Sequence, residues 1–191
     1  KSTDILYLLT VALQNLGDTS EKLGDLKGSL NYRQQVTQVS KELYSSYPNN
    51  MSFKNSLAVS YGKLGVVFLE FGNLEKSLEY FEKFNCLEKE LYSSYTEDIN
   101  YKNLLAISYS KLGSTHSSLG NLEKALGYFE EYTRLEKELY DSYPENVAFK
   151  NSLAVSYSKL ARIHEKLEQQ AKTQEFLKMC LTLWEELVDD F

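Results

Sequence analysis

The sequence predicts an all-α fold made of four copies of one antiparallel helix pair, eight helices in all. One phrase recurs at a fixed spacing: "NSLAVSYGKLG" at 55–65 returns as "NLLAISYSKLG" at 103–113 and "NSLAVSYSKLA" at 151–161. A degraded copy, "YLLTVALQNLG", stands at 7–17, so each copy follows the last after 48 residues. A fixed period of this size is typical of a solenoid, whose units bury their apolar faces only against their neighbours.

The period also sets the predicted boundaries of the repeats. The chain divides into one repeat domain of four units, residues 1–48, 49–96, 97–144 and 145–191. Pro48, Thr96 and Pro144 occupy the same register at the end of a unit. Because the chain begins with Lys1 and stops just before the next such position, we expect it to be a segment of a longer protein.

The first helix of each pair, helix A, is predicted from apolar spacing. In the second unit the apolar side chains recur every three or four residues, at Phe53, Leu57, Tyr61, Leu64, Phe68 and Phe71. This spacing places them on one face of a helix that runs from about 51 to 71.

A turn and a second helix, helix B, complete the unit. In "FGNL" at 71–74, Gly72 can take the left-handed conformation that ends a helix, and Asn73 can cap the next one. Helix B then runs to a turn near Thr96, and Pro48 and Pro144 end the equivalent helices because proline cannot continue a helix. Each helix is predicted to have near 20 residues, a length of about 30 Å.

The third unit carries a known repeat pattern, Trp-x2-Leu-Gly-x2-Tyr, then Ala-x3-Phe, then Pro. The matching residues are Tyr109, Leu112, Gly113, His116, Ala125, Phe129 and Pro144. The chain therefore resembles the tetratricopeptide-repeat family, in an extended variant whose period is 48 residues instead of about 34. The extra residues divide equally between helix B and the next helix A, about two turns each. The resemblance implies a right-handed helical solenoid.

Composition and charge exclude several classes of function. The net charge is -6 and Lys and Glu are interspersed, so no basic run follows a phosphate backbone and nucleic acid is not an expected partner. No apolar stretch reaches the roughly 20 residues of a membrane helix, so we expect no membrane insertion. Cys86 and Cys180 lie in different registers, which indicates neither a disulfide framework nor a metal site and favours a cytoplasmic location.

We expect no enzymatic activity, no cofactor and no metal. No catalytic triad, paired-carboxylate cleft, metal cluster or phosphate loop has the required spacing. His116 and His164 share a register; we favour packed core histidines over a metal or catalytic role. Gly17, Gly65 and Gly113 fall in the middle of helix A, where close approach of the paired helix is the family's reason for glycine.

Two further rows of residues leave alternatives open. "KELYSSY" at 41–47 and 89–95 and "KELYDSY" at 137–143 place two Tyr in the last turn of each helix B, for packing on the next unit or, less favoured, for a ligand. Lys63, Lys111 and Lys159 also recur. They form a solvated face or, less favoured, a positive row that holds an acidic partner.

The second half of helix A differs from unit to unit: "VVFLEF" at 66–71 stands against "STHSSL" at 114–119. Packing positions repeat because every unit solves the same packing problem, so a face that varies is available for a partner. By resemblance, this face lines the inner groove of the solenoid, where extended peptides or partner helices lie. Drift on a solvent face, or apolar contact between adjacent A helices, is the alternative.

The resemblance assigns the groove lining residue by residue. In the first unit it is Val11, Gln14, Asp18, Glu21 and Lys22. In the second it is Val59, Gly62, Val66, Leu69 and Glu70. In the third it is Ile107, Ser110, Ser114, Ser117 and Ser118, and in the fourth Val155, Ser158, Arg162, Glu165 and Lys166. The groove is then apolar in unit two, rich in hydroxyls in unit three and charged at both ends.

The sequence thus predicts a non-catalytic scaffold that binds a peptide or partner protein. In one alternative the array is the sensor or regulatory arm of a larger signalling enzyme. In the other it is a structural spacer or a rod that associates end to end, because terminal repeats expose faces that normally stack on another unit.

Overall fold

The computed structural model describes residues 3–189, and this part of the chain forms eight α-helices without strands. They are α1 (Thr3–Lys22), α2 (Leu26–Ser46), α3 (Met51–Glu70), α4 (Leu74–Ser94), α5 (Ile99–Ser118), α6 (Leu122–Ser142), α7 (Val147–Lys166) and α8 (Gln170–Asp189). The odd-numbered helices, here the A helices, begin at residues 3, 51, 99 and 147, a spacing of 48 residues. The predicted all-helical repeat fold is confirmed.

The chain divides after Ser94 into two compact units. Each compact unit contains two of the 48-residue repeats: unit one holds α1–α4, and unit two holds α5–α8. Within each unit every helix packs on the next one along the chain. The even-numbered helices are the B helices. The division into four repeats of one domain, made from the period alone, stays a prediction.

The turn from α3 to α4 follows the predicted chemistry. Gly72 has φ +72°, and its N–H donates to the Leu69 carbonyl at 2.9 Å. Asn73 Oδ1 accepts the backbone N–H of Lys76 at 3.0 Å and so caps α4. Glu168 occupies the same register in the last turn with φ +59°, a conformation that costs a side chain energy and glycine almost none.

The glycines of the A helices lie under aromatic rings of the B helices. A Cβ on Gly65 would lie 2.5 Å from Phe81 Cε1, and one on Gly113 would lie 2.7 Å from Phe129 Cδ1. The Ser77 hydroxyl donates to the Gly65 carbonyl at 2.9 Å. The predicted close approach of the paired helix is therefore confirmed, and its cause is a ring seated on the glycine backbone.

The first repeat replaces this ring with a guanidinium. Arg33 is 2% exposed, and a Cβ on Gly17 would lie 3.0 Å from its Cζ. The guanidinium pairs with Glu21 Oε1 at 2.9 Å and with Asp18. Its hydrogen bond holds the pKa of Asp18 below the usual range. Arg33 thus combines the packing role of the aromatic residue with ion pairs to two partly exposed carboxylates.

Both histidines belong to the core, as predicted. His116 stacks on Tyr128 and His164 on Phe176, each with ring centroids 5.4 Å apart, and the two histidines are 4% and 2% exposed. Phe68 stacks in the same way on a tyrosine of α4. The register 68, 116 and 164 therefore provides one flat ring for each of the last three helix pairs, whereas the first pair has Ser20 in this register.

The tyrosine that directly follows each of α2, α4 and α6 packs on an aromatic residue near the start of the next A helix. Ring centroids of Tyr47 and Phe53 are 5.6 Å apart, and those of Tyr143 and Phe149 are 5.8 Å apart. Tyr95 makes the equivalent contact within unit two, at 5.8 Å from Tyr101. The packing interpretation of this tyrosine row is confirmed for these residues.

Candidate partner-binding site

Unit one contains a cavity of about 210 Å³ that lies between the A helices α1 and α3 and the B helix α2. It is lined by Gln14, Asn15, Asp18, Arg33, Val36, Val59, Ser60 and Lys63. Asp18 Oδ1 lies 3.6 Å from Lys63 Nζ, which joins α1 to α3. The structure therefore brings together three residues assigned to the binding face: Gln14, Asp18 and Val59.

Unit two has a corresponding cavity of about 170 Å³ on α5, α6 and α7. Its lining is Ser114, Ser117, Ser118, Phe129, Lys159, Arg162, Ile163 and Lys166. Lys159 Nζ donates to Ser114 Oγ at 3.1 Å, and Lys166 Nζ donates to Ser117 Oγ at 2.9 Å. Five residues assigned to the binding face from different repeats thus line one cavity.

Other assigned residues lie on the A helices outside these two cavities. Val66, Leu69, Ser110 and Val155 are half-buried, Ile107 is 37% exposed, and Val11, Lys22, Glu70 and Glu165 are exposed. The side chains of Val66 and Leu69 are therefore only partly exposed to solvent.

Two assigned positions face the paired helix. A Cβ on Gly62 would lie 3.2 Å from Phe84 Cδ1 of α4. Ser158, in the same register, has its backbone beside the Cys180 thiol of α8. Gly62 and Ser158 therefore contribute to the packing of an A helix on its paired B helix. Only their remaining exposed surface can contact a partner.

The lysine row is more than a solvated face. Lys63 contacts Asp18, whereas Lys159 is half-buried under serines and its Nζ lies 5.5 Å from the Phe129 ring centroid. Burial lowers the pKa of Lys159, and Lys111 and Arg162 lower it further. A cation with this environment is a candidate to contact an anion.

Glu88 and Glu136 are buried carboxyl groups that the sequence analysis missed. They occupy one register on α4 and α6 and are 0% and 1% exposed. Burial raises the pKa of Glu88 to about 8 and that of Glu136 to about 7. Among the described residues, neither oxygen of Glu88 has a hydrogen-bond partner. A signal was present, because Phe81, Phe84, Glu88 and Leu91 follow helical spacing.

A third cavity involves the B helices of unit one. It has a volume of about 400 Å³ and is lined by Lys41, Tyr44, Ser45, Leu57, Tyr61, Lys83, Cys86 and Leu87. Lys41 Nζ lies 5.6 Å from the Tyr61 ring centroid. This cavity is the alternative partner-binding site to the two cavities described above.

Residues 3–189 contain neither a membrane-spanning helix nor a cluster of metal-ligating side chains. Within that range no helix is long and apolar enough to cross a membrane. The same part of the chain brings together no group of three or more His, Cys, Asp or Glu side chains in positions to hold a metal ion.

Comparison with protein families identifies the repeats. The tetratricopeptide-repeat family model matches residues 58–84 and 106–139, which cover α3–α4 and α5–α6 in part. The two matched segments are therefore similar to tetratricopeptide repeats. No curated protein matches the sequence.

Solved structures share the fold at low sequence identity. BtubC (BKLC) from P. vanneervenii superposes with a TM-score of 0.78 at 12% identity, over 95% of this chain and 65% of that one. Aspartyl phosphate phosphatase F from Bacillus subtilis gives 0.73 at 16% identity, over 94% and 41% of the two chains. Kinesin light chain TPR-like repeats from Podosopora anserina give 0.55 at 15% identity, over 92% and 95%. This chain therefore spans less than two thirds of the first two proteins, and the likenesses concern the fold.

Proposed function

We propose that the chain is a protein-interaction module that binds a peptide or partner protein on the A face. The A face is the side of the A helices that carries the residues assigned above to partner binding. One observation carries the proposal: the half of helix A that differs between repeats lines most of the unit-two cavity, and it contributes Asp18 to the cavity of unit one. Positions that repeat, such as Leu64 and Leu112, are 1% exposed and are explained by packing.

The two units offer different surfaces on this face. Unit one presents the half-buried apolar side chains of Val59, Val66 and Leu69 beside exposed Glu70. Unit two presents serines of α5 and cations of α7. Apolar residues of a partner suit the surface of unit one, and an acidic segment suits the surface of unit two.

The remaining features agree with a non-catalytic role in the cytoplasm, which forms part of the proposal. Tetratricopeptide repeats typically serve as scaffolds, which supports a protein partner and no catalysis by this chain. The net charge of -6 disfavours nucleic acid. Cys86 is exposed and Cys180 is buried, and both are free thiols, as a reducing compartment allows.

Affinity capture from a lysate of the source organism tests the proposal. The double variant Val66→Asp, Leu69→Asp adds two charges to the A face of α3. The matched control Asn31→Asp, Gln34→Asp adds the same charge at the same spacing on exposed positions of α2. All three proteins must melt cooperatively before they are compared.

We expect one partner to be retained by the native chain and the control and to be at least tenfold depleted with the A-face variant. Equal capture by all three proteins would contradict the proposal and move the site to the B helices. Loss with the control alone would do the same.

End-to-end association is the second candidate, because α1 and α8 both expose large apolar side chains. Ile5 and Leu8 of α1 are 63% and 65% exposed, and Leu181 and Val188 of α8 are 55% and 74% exposed. Repeat proteins stack such faces on a neighbouring unit. Recovery of only further copies of the chain in the capture experiment would favour this rod or spacer role over a heterologous partner.

A further inference from the structure

The cavity of unit two combines three cations with serine hydroxyls. Lys159, Arg162 and Lys166 come from α7, and Ser114 and Ser117 come from α5. Each lysine donates to one serine oxygen, at 3.1 Å for Ser114 and 2.9 Å for Ser117. A serine that accepts from an ammonium group keeps its own hydrogen to donate. The cavity therefore presents five groups that donate hydrogen bonds.

The described carboxylates leave this positive charge without an ion pair. Within residues 3–189 no carboxylate forms an ion pair with Lys159, Arg162 or Lys166, although the chain as a whole has a net charge of -6. Other cations do find carboxylates, as Lys83 does with Glu79. The like charge of Arg162 contributes to the lowered pKa of Lys159, after burial. An anion in the cavity would relieve this repulsion.

Unit one shows what the same position holds when the chain supplies its own anion. Asp18 and Lys63 of unit one share the registers of Ser114 and Lys159. The Asp18 carboxylate lies between the guanidinium of Arg33 and the ammonium of Lys63, with 3.6 Å to the latter. In unit two the matching lysine contacts a neutral hydroxyl instead. Unit one therefore gives an example, within this chain, of an anionic group held between two successive A helices, α1 and α3.

We infer that the unit-two cavity binds a doubly charged oxyanion, namely a phosphate monoester group or phosphate itself. A phosphate presents three or four oxygens to the three cations and two hydroxyls, whereas a carboxylate has only two oxygens to satisfy them. The planar fork of Arg162 can donate two parallel bonds to such a group. This inference rests on the proposed function, because it assigns a ligand chemistry to the A face of unit two.

Titration of the purified chain with inorganic phosphate, followed by calorimetry, tests the inference. We expect saturable binding that becomes at least tenfold weaker in Arg162→Gln. The variant Ser114→Asp copies the residue of unit one and supplies a carboxylate inside the cavity, so it should abolish phosphate binding without loss of stability. Lys172→Gln removes one exposed cation of α8 and should change the affinity less than twofold.

Two further ligands identify the chemistry and its source. Acetate should bind at least tenfold more weakly than phosphate. A phosphoserine peptide that binds more tightly than inorganic phosphate would identify a phosphorylated partner as the source, and equal affinities would identify free phosphate. Undetectable binding at about 10 mM phosphate, equal affinity for acetate, or unchanged affinity in Ser114→Asp would overturn the inference.

These outcomes are separable from the capture experiment. Phosphate titration needs no partner, so absent phosphate binding with intact, A-face-dependent capture would overturn only the ligand chemistry. Phosphate binding together with capture that ignores the A-face variant would overturn the proposed function and leave the anion site standing.

Discussion

Replacement of Phe81 by Ala is expected to lower the free energy of unfolding by about 3–5 kcal/mol. The ring is 0% exposed and lies on the backbone of Gly65 at the centre of the α3–α4 pair. Its removal loses the transfer energy of the ring and leaves a cavity that two long helices cannot easily close. Because domains are stable by only about 5–15 kcal/mol, urea unfolding should show a large fall in the midpoint.

Coupling between Phe81 and Gly65 separates this close approach from simple loss of apolar area. Gly65→Ala places a methyl 2.5 Å from the ring and should destabilise the native chain by about 1–3 kcal/mol. In the Phe81→Ala background the same methyl has space and should stabilise. Gly127→Ala is the matched control, because no atom lies within 4 Å of its Cβ, and it should stabilise by about 0.5–1 kcal/mol. An equal gain from both alanines in the native chain would contradict the packing account.

Stability is also expected to fall as the pH rises from about 5 to about 8. The folded pKa values of Glu88 and Glu136 are about 8 and about 7, against about 4.3 in an unfolded chain. Between these values the unfolded state releases protons that the folded state keeps, so the free energy of unfolding decreases with pH. The stabilisation is complete below the unfolded pKa and is lost as the pH rises through the folded pKa.

Glutamine variants test the origin of this pH dependence. Glu88→Gln, Glu136→Gln removes both ionisations and should flatten the profile of the unfolding midpoint between pH 5 and pH 8. Glu82→Gln, Glu130→Gln changes two exposed carboxylates of the same helices and should retain the native slope. Identical slopes in the two double variants would refute the assignment. The Asp18 carboxylate does not interfere, because its lowered pKa acts only in strongly acidic solution.

The period and the apolar spacing were sufficient to predict the helices. Helix A was predicted at about 51–71 and α3 is Met51–Glu70, because helix ends follow local rules of glycine and asparagine. The core position of His116 and the need for Gly65 also followed from register. These features depend on residues near in sequence or on a helix pair that every repeat forms.

Other features depend on which side chains of different helices contact each other, and the order of residues alone does not show this. The register places Arg33 where later repeats have an aromatic residue, but only the structure shows that it packs on Gly17 and pairs with Asp18. Glu88 is different: its spacing of four residues from Phe84 already places it on the apolar face of α4, although a second glutamate in "LEKEL" hides this signal. The cations Lys159 and Lys166 lie on α7, but the serines that accept hydrogen bonds from them lie on α5 in another repeat, so neither repeat alone reveals the whole cluster.

Site-specific photocrosslinking in a lysate tests most directly whether the A face binds the partner. A photoreactive amino acid is placed at Glu70 or Ser118, which are exposed on A helices, or at Glu82 or Glu130, which are exposed on B helices. We predict that the same partner is crosslinked from both A-helix positions and from neither B-helix position. Crosslinks from the B-helix positions alone would contradict the account and assign partner binding to the other helices.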